Sequence, residues 1–550
     1  MSSNFIFNEI DKDIENGIYL ADEIKTRFPP EPNGYLHVGH AKALYINFAV
    51  KEKYNATTYL RYDDTNPAKE DIEYTEAIQE DIAWLGFKWD QLLFASDYFE
   101  TMYEHAIELI NKGLAFIDDQ TSEEIRSSRG SLVEKGTESP WRNRSIEDNL
   151  KLFREMREGK HEAGSRVLRA KIDMSSPNMN MRDPVLYRIL FESHPHTNDE
   201  WCIYPMYDYA HPIEDAIEKI THSLCSMEYE DHRPLYDWVL DNIDAYKEKR
   251  PRQIEFARLA IKGALTSKRN LKKLVDNNIV DGWDDPRLYT LRGLRRRGVS
   301  AQAIRNFCAA VGVAKANSEI PREQLDYYVR EDLGKTAKRI MAVVNPLKLT
   351  VTNYPEGQIE ILDVPNDTSD PDSETRQVAF GRDLYIEADD FEQNPPKGYH
   401  RLYPGNEVRL MGAYFVKCTG AVVDADGNVL EVLCEYDPET KSGSGFTARK
   451  VKGTIHWVES TTALPIETRQ LGELLDPEKP SGDVLERLNS SSLERLDSFA
   501  EKSLEAANPS DTFQFVRLGY YCADSTPGVG GKMAFNRTVE LKSTWKPEKA

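Results

Sequence analysis

The spacing of apolar residues along this chain changes several times, and each change marks a boundary. A short extended run, Ile24 to Phe28, ends at Pro29-Pro30, because proline offers no amide to a ladder and biases the preceding residue away from helix. Asn33-Gly34 makes a turn, and a helix is expected to open near Leu36. Thr57 to Tyr62, β-branched and aromatic, reads as a second strand, after which Ile72, Ile78, Ile82 and Leu85 recur at helical spacing until Gly86. Strand, helix, strand, helix predicts a parallel sheet that binds its ligand beyond the carboxyl ends of the strands. Asp63 sits at such an end. From about 100 to 200 the alternation fades into helical segments and charged loops, which predicts an insertion. Trp201 to Tyr209 reads as an apolar strand that resumes the sheet, and the sheet domain is expected to close near 262.

Residues 274 to 340 read as helical and basic. Beyond Pro346 the pattern becomes short alternating strands, with Asp426-Gly427 as a hairpin turn and 365 to 376 as a surface loop. The last 200 residues are thus expected to be all-β barrels or sandwiches with a helical interlude near 483 to 505. Residues 1 to 23 read as a polar lead-in, helical or loose.

Composition narrows the class without changing this outline. At 550 residues the chain is long enough for several cores, and 40% hydrophobic with 29% charged residues is ordinary for a globular protein. No apolar run approaches the roughly 18 residues that span a bilayer, and MSSNFIFNEIDKDIENG lacks a cationic leader. Six cysteines without a CxxC predict reduced thiols and a cytoplasmic setting. A net charge of −22 argues against nucleic-acid binding by the molecule as a whole, but basic residues cluster at 247 to 273 and 287 to 298, where local binding to phosphates is possible.

The chemistry concentrates in FPPEPNGYLHVGHAKAL, 28 to 44, where His37 and His40 are three apart around Gly39. At a helix N-terminus, two imidazoles can donate to phosphate oxygens, and a glycine lets a flat ring approach the backbone. An isolated HxGH is more often two polar helix residues than a functional pair, and a zinc pair is disfavoured because no Cys or Glu stands at ligand spacing nearby and nothing resembles HExxH. Leu265-Thr266-Ser267-Lys268-Arg269 supplies a second, distant basic motif.

Taken together, FPPEPNGYLHVGHAKA, RYDDTNP, WCIYPMYD, THSLC, YDWVLDNI, LTSKR, GLRRRG and GTIHWV resemble the glutaminyl-tRNA synthetases, a family of class I aminoacyl-tRNA synthetases, from about residue 24 onward. The resemblance implies a multidomain α/β plus all-β protein. Its parts would be a Rossmann-like catalytic domain at 24–100 and 201–262, an α/β acceptor-stem-binding insertion at 101–200, and a helical connector at 263–340. Two anticodon-binding β-barrels would follow, the proximal at 341–385 and 480–550 and the distal at 386–479. ATP, with Mg²⁺, would be bound by Glu31, Pro32, Asn33, His37, Val38, Gly39, His40, Ala41, Lys42, Ala43, Ser226, Arg258, Leu259, Thr266, Ser267 and Lys268. His37, His40 and Lys268 would be the catalytic groups, with no metal ligands among the side chains. Asp63 would pair with the α-ammonium of glutamine and Tyr207 with its amide. Cys225 stands where glutamyl enzymes place an arginine, so a substrate carboxylate would lack a partner. Leu132, Asp231, Arg339, Arg401, Gln514 and Arg517 would contact tRNA(Gln). Thr266 replaces the family's usual methionine, and Met411 stands where an arginine is expected. A monomer acting on glutamine, ATP and tRNA(Gln), with no membrane partner, is the expectation that follows.

Overall fold

In the computed structural model, which describes residues 4–542, 545 and 546 apart from 70, 249 and 368–371, the chain divides into two units. One comprises Met1–Ile261 with Cys308–Ile320, the other Lys262–Phe307 with Pro321–Ala550.

The first unit is built on parallel strands. Lys25–Phe28 pairs with Thr57–Tyr62, which pairs with Leu92–Phe94. On the other side of Lys25–Phe28, Thr221 N donates to Lys25 O (3.0 Å) and Lys25 N to Thr221 Oγ1 (3.0 Å). Thr221 leads into His222–Ser226, itself parallel to Arg252–Phe256. The first three strands therefore run outward in one direction and the last two in the other, the order of a Rossmann-type sheet whose reversal point faces ligand. TTYLRY is buried almost throughout, as a strand covered on both faces must be.

Between the two halves, Ala115–Asp118, Val167–Ala170, Val185–Ile189 and Ile203–Pro205 form an antiparallel sheet. One expectation changes here. The run from Trp201 does not resume the parallel sheet, because Ile203–Pro205 is the fourth strand of the insertion and Tyr207 already opens helix Tyr207–Ile217. An apolar run reads alike whichever sheet buries it. The lead-in expected to be helical or loose holds helix Phe5–Glu15, whose Ile6, Phe7 and Ile10 are buried against Ile24, Val50 and Leu224. Asp13 on that helix binds His222 (3.2 Å) and Arg252 (2.9 Å).

The second unit opens with helices Lys268–Asp276 and Leu291–Arg297, includes Arg322–Thr336, and continues into two seven-stranded sheets. One sheet runs from Lys338–Ile340 through Thr512–Phe515, Gly519–Ala523, Met533–Glu540, Leu464–Leu471 and Leu493–Ala500 to Ala342–Val343. Its two end strands are separated by one residue in the chain, so the sheet must curl upon itself. The other runs from Thr454–Ile455 through Glu407–Leu410, Phe415–Val423, Val429–Asp437, Pro346–Val351 and Asp383–Glu387 to Val458–Glu459. It closes likewise, with fully buried Trp457 in the seam.

The expected hairpin about Asp426-Gly427 is present, Phe415–Val423 pairing antiparallel with Val429–Asp437. The allotment of strands to barrels is corrected: Pro346–Val351 and Asp383–Glu387 belong with 407–459, and Leu464–Leu471 with the sheet of the last residues. The helical interlude near 483 to 505 is corrected too, since Leu493–Ala500 is a strand flanked by short 3₁₀ turns. Among the described residues no helix is long and apolar enough to cross a membrane.

Candidate active site

Phe28 hands the chain to Pro29-Pro30 and the Asn33-Gly34 turn, and helix Val38–Tyr54 begins one residue after His37. The expected helical position of His37 is thus corrected to an N-cap, with extended backbone (φ −127°, ψ 174°). The two histidines cap reciprocally. His40 Nδ1 accepts from His37 N and His37 Nδ1 accepts from Gly39 N, both at 3.1 Å. Their rings lie 3.9 Å apart between centroids. Burial pushes His37 down to about 4, and burial together with the neighbouring His37 charge holds His40 well below the usual imidazole range. Both rings are therefore neutral at pH 7. Because each Nδ1 is an acceptor, the single ring proton of each must sit on Nε2. The pair presents two N–H donors and no charge.

Gly39 is required by the ring beside it. A Cβ there would lie 2.8 Å from His37 Cε1 and 3.5 Å from the carbonyl of Leu259, the first residue of strand Leu259–Ile261. Val38 and Ala41 are buried, Ala43 packs on the core behind the sheet, and Lys42 is buried with its ammonium disfavoured by desolvation. Ser226 ends strand His222–Ser226 and donates to Glu228 (2.8 Å), while exposed Arg258 reaches the same carboxylate at 3.8 Å.

A cavity of about 240 Å³ opens at the strand ends, lined by Glu31, Asn33, Asp63, Thr65, Asn66, Arg188, Pro205, Met206 and Tyr207. It joins residues expected to bind nucleotide with residues expected to bind amino acid. Asp63 is 5% exposed, accepts from Thr65 Oγ1 (2.8 Å), and is pushed up to about 6 by burial and by the charge of Glu31. Asp64 is raised to about 6 by burial, against hydrogen bonds from Ser96 N (2.9 Å) and Oγ (2.6 Å). Tyr207 packs between His211 and Tyr229, with ring centroids 5.0 and 5.3 Å away.

Sequence reasoning missed what lies beneath Cys225. Its thiol is buried and held protonated by desolvation, but the guanidinium of Arg27 stands 3.7 Å from Sγ. A positive charge thus stands beside Cys225, where none was expected. That guanidinium is already engaged: it donates to Asp215 (2.8 Å), Leu224 O (3.1 Å) and Ser223 Oγ (2.7 Å). Arg61 beside it meets Glu214, Asp215 and Glu218 at 2.8–2.9 Å. Two arginines inside strands carried no sequence signal, because the carboxylates that pair with them lie more than 150 residues away on helix Tyr207–Ile217 and just past it.

The remaining expected residues are distributed over both units. Thr266 and Ser267 precede Lys268, the first residue of helix Lys268–Asp276 in the second unit. In the insertion Leu132 is 82% and Val133 94% exposed. Buried Arg182 holds this tip by donating to the carbonyls of Arg129, Ser131 and Glu134 at 2.7–2.9 Å. Asp231 is exposed, its carbonyl accepting from Asn178 (2.7 Å) and Asn180 (3.1 Å). Arg339 and Gln514 are register partners, with Nε donating to Oε1 at 3.2 Å. Arg401 and Arg517 converge on buried Asp390, Arg517 in a bidentate pair at 2.6 and 2.7 Å. Met411 packs on the barrel core and its carbonyl accepts from Trp457 Nε1 (3.0 Å).

Comparisons with known proteins agree on one group. The model for "tRNA synthetases class I (E and Q), catalytic domain" matches residues 23–335. Two models for "tRNA synthetases class I (E and Q), anti-codon binding domain" match 337–437 and 454–524. The glutamine–tRNA ligase of Clostridium perfringens is 56% identical over 548 residues, 99% of each chain. That of Clostridioides difficile is 55% identical over 552 residues, 100% of this chain and 99% of the other. That of Bradyrhizobium diazoefficiens is 51% identical over 100% of this chain and 98% of the other.

Proposed function

The chain belongs to the class I tRNA synthetases of the glutamate and glutamine group, and from that premise we propose that it is a glutamine–tRNA ligase. ATP and glutamine react in line at the α-phosphate to give glutaminyl-adenylate and pyrophosphate, and the terminal 2′-hydroxyl of tRNA(Gln) then attacks the carbonyl. No side chain forms a covalent bond.

The observation that carries the reading is the locked tautomer of His37 and His40. Two Nε2–H donors, fixed by their own Nδ1 bonds to backbone amides, suit phosphate oxygens whose charge grows as the leaving group departs. Lys268 meets the pyrophosphate as negative charge builds there, and Ser226, Arg258 and Leu259 border the nucleotide. Asp63 receives the α-ammonium, whose arrival offsets the burial that now raises its carboxyl. Tyr207 addresses the side-chain amide over neutral Cys225. Arg27, its donors spent on Asp215, Leu224 and Ser223, has little left for a substrate carboxylate.

Among the described residues no three His, Cys, Asp or Glu side chains converge as a metal site. Mg²⁺ enters on the nucleotide phosphates as part of the substrate, since that ion keeps its waters and rarely uses an all-protein cage. No step is assigned to a metal held by the protein.

Leu132 wedges the first acceptor-stem pair and Asp231 accepts from a base amine in that stem, so the antiparallel insertion, Ile203–Pro205 included, holds the acceptor end. Arg339, Arg401, Gln514 and Arg517 read splayed anticodon bases on the two barrels. A monomer in the cytoplasm is part of the proposal, in keeping with six free cysteines. Charging of tRNA with glutamine and with glutamate tests the reading: glutamine must be preferred by several orders of magnitude, and equal or reversed preference overturns it.

A further inference from the structure

Four arginines from three elements of the second unit face one cavity. Arg297 ends helix Leu291–Arg297, Arg322 and Arg330 lie two turns apart on helix Arg322–Thr336, and Arg537 stands on strand Met533–Glu540. The cavity they line is about 320 Å³, the size of a small-ligand site.

These guanidiniums are poorly satisfied. Arg297 is 6% exposed, and its Nε donates to Thr538 O at 3.3 Å, yet no carboxylate lies within ion-pair distance of it among the described residues. Arg330 Nε donates to Glu540 O (2.6 Å), but its buried Nη1 has no acceptor among the described residues. Arg322 Nε reaches Asp326 and Arg537 Nη1 reaches Glu540 only at 3.5 Å. Where this protein needs a tight pair it builds one, as at Arg517 and Asp390 with 2.6 and 2.7 Å. A guanidinium carries five donors, and a buried donor without an acceptor costs on the order of 1–3 kcal/mol. Like charges add to that cost: Arg297 is depressed by burial and by the charges of Arg322 and Arg537. Both costs vanish if a multiply charged anion sits among the four side chains.

We propose that this cavity binds a small phosphate anion, inorganic phosphate or pyrophosphate, held by Arg297, Arg322, Arg330 and Arg537. Glu323, Asp326, Glu473 and Glu540 also line the cavity, as does Lys542, and these carboxylates oppose a long polyanion while a compact ion sits closer to the arginines. The assignment is independent of the reaction proposed for the first unit.

Calorimetric titration of the full chain with pyrophosphate in Mg²⁺-free, low-salt buffer tests it. The expected isotherm has two sites, of which one weakens at least tenfold in Arg537→Gln and in Arg330→Gln while the other is unchanged. Asp326→Asn, which removes a competing carboxylate, is expected to tighten the same site several-fold, an outcome that loss of structure would not produce. Absence of any pyrophosphate site that responds to these three substitutions overturns the proposal, whether the unsubstituted chain shows no site, one or two. Displacement of pyrophosphate from this site by a short single-stranded RNA would overturn the small-ion assignment.

Discussion

Replacing Asp63 with asparagine should stabilise the protein while it destroys glutamine binding. The carboxyl stands at about 6 in the folded chain against 3.8 for an exposed aspartate, because burial and the charge of Glu31 disfavour ionisation. At 1.36 kcal/mol per pH unit this difference is a penalty of about 3 kcal/mol at pH 7. The folded state holds the proton more tightly than the unfolded one, so the penalty is absent below about pH 4, grows as pH rises, and is complete above about pH 6. Asparagine keeps an oxygen for the Thr65 hydroxyl, at 2.8 Å in the parent, and its own N–H groups replace a carboxylate that lines the open cavity. Urea denaturation at pH 7.5 should show the variant more stable by up to about 3 kcal/mol, with the gap shrinking towards zero near pH 4. Glutamine at a hundred times its Kd should stabilise the parent by about 2.7 kcal/mol and leave the variant unmoved. The reasoning is refuted if the variant is no more stable at pH 7.5, if the gap does not depend on pH, or if its KM for glutamine is unchanged.

Three further outcomes follow from the same geometry. Gly39→Ala forces a methyl to within 2.8 Å of the His37 ring, so single-turnover charging should fall by about a hundredfold with tRNA affinity kept. His40→Ala should slow adenylate formation about 10²–10³-fold; in the unsubstituted enzyme the rate should show no imidazole titration between pH 6 and 8, as His37 titrates at about 4. Arg182→Ala frees three carbonyls behind Leu132 and should raise the KM for tRNA about tenfold, with the KM for glutamine unchanged in steady-state charging.

The parts of this molecule that were legible in its sequence are those where chemistry is local. Proline after Phe28 and the glycine turn announced the end of the first strand and the approach to helix Val38–Tyr54, and the Asp426-Gly427 turn announced its hairpin. What escaped was set by distant partners. Arg27 and Arg61 read as interruptions of apolar strands, because nothing nearby indicates that Asp215 and its neighbours will neutralise them. Leu493 and Leu496 fall at a helical interval, but a vacant place between Leu464–Leu471 and Ala342–Val343 makes their segment a strand. The capping role of His37 was hidden because the first helical residue and the residue before it differ only in backbone angle.

The barrel of residues 346–459, the outer one, is inserted in the chain between strands Ala342–Val343 and Leu464–Leu471 of the other, the inner one. Strand Asp383–Glu387 pairs with Pro346–Val351 on one side and Val458–Glu459 on the other, Pro346 opposite Glu387 and Glu459 opposite Leu384, so the chain enters and leaves this domain two strand spacings across and three residues along, about 14 Å apart. Val344 and Asn345 donate to Glu387 across the doorway (2.7 and 3.1 Å). During synthesis the inner barrel therefore has to hold two of its staves, 338–343, unpartnered until more than a hundred residues of another domain have been made. Its closure is among the last events of folding, and a short bridge across the doorway is all that would be needed to make the two parts separate molecules.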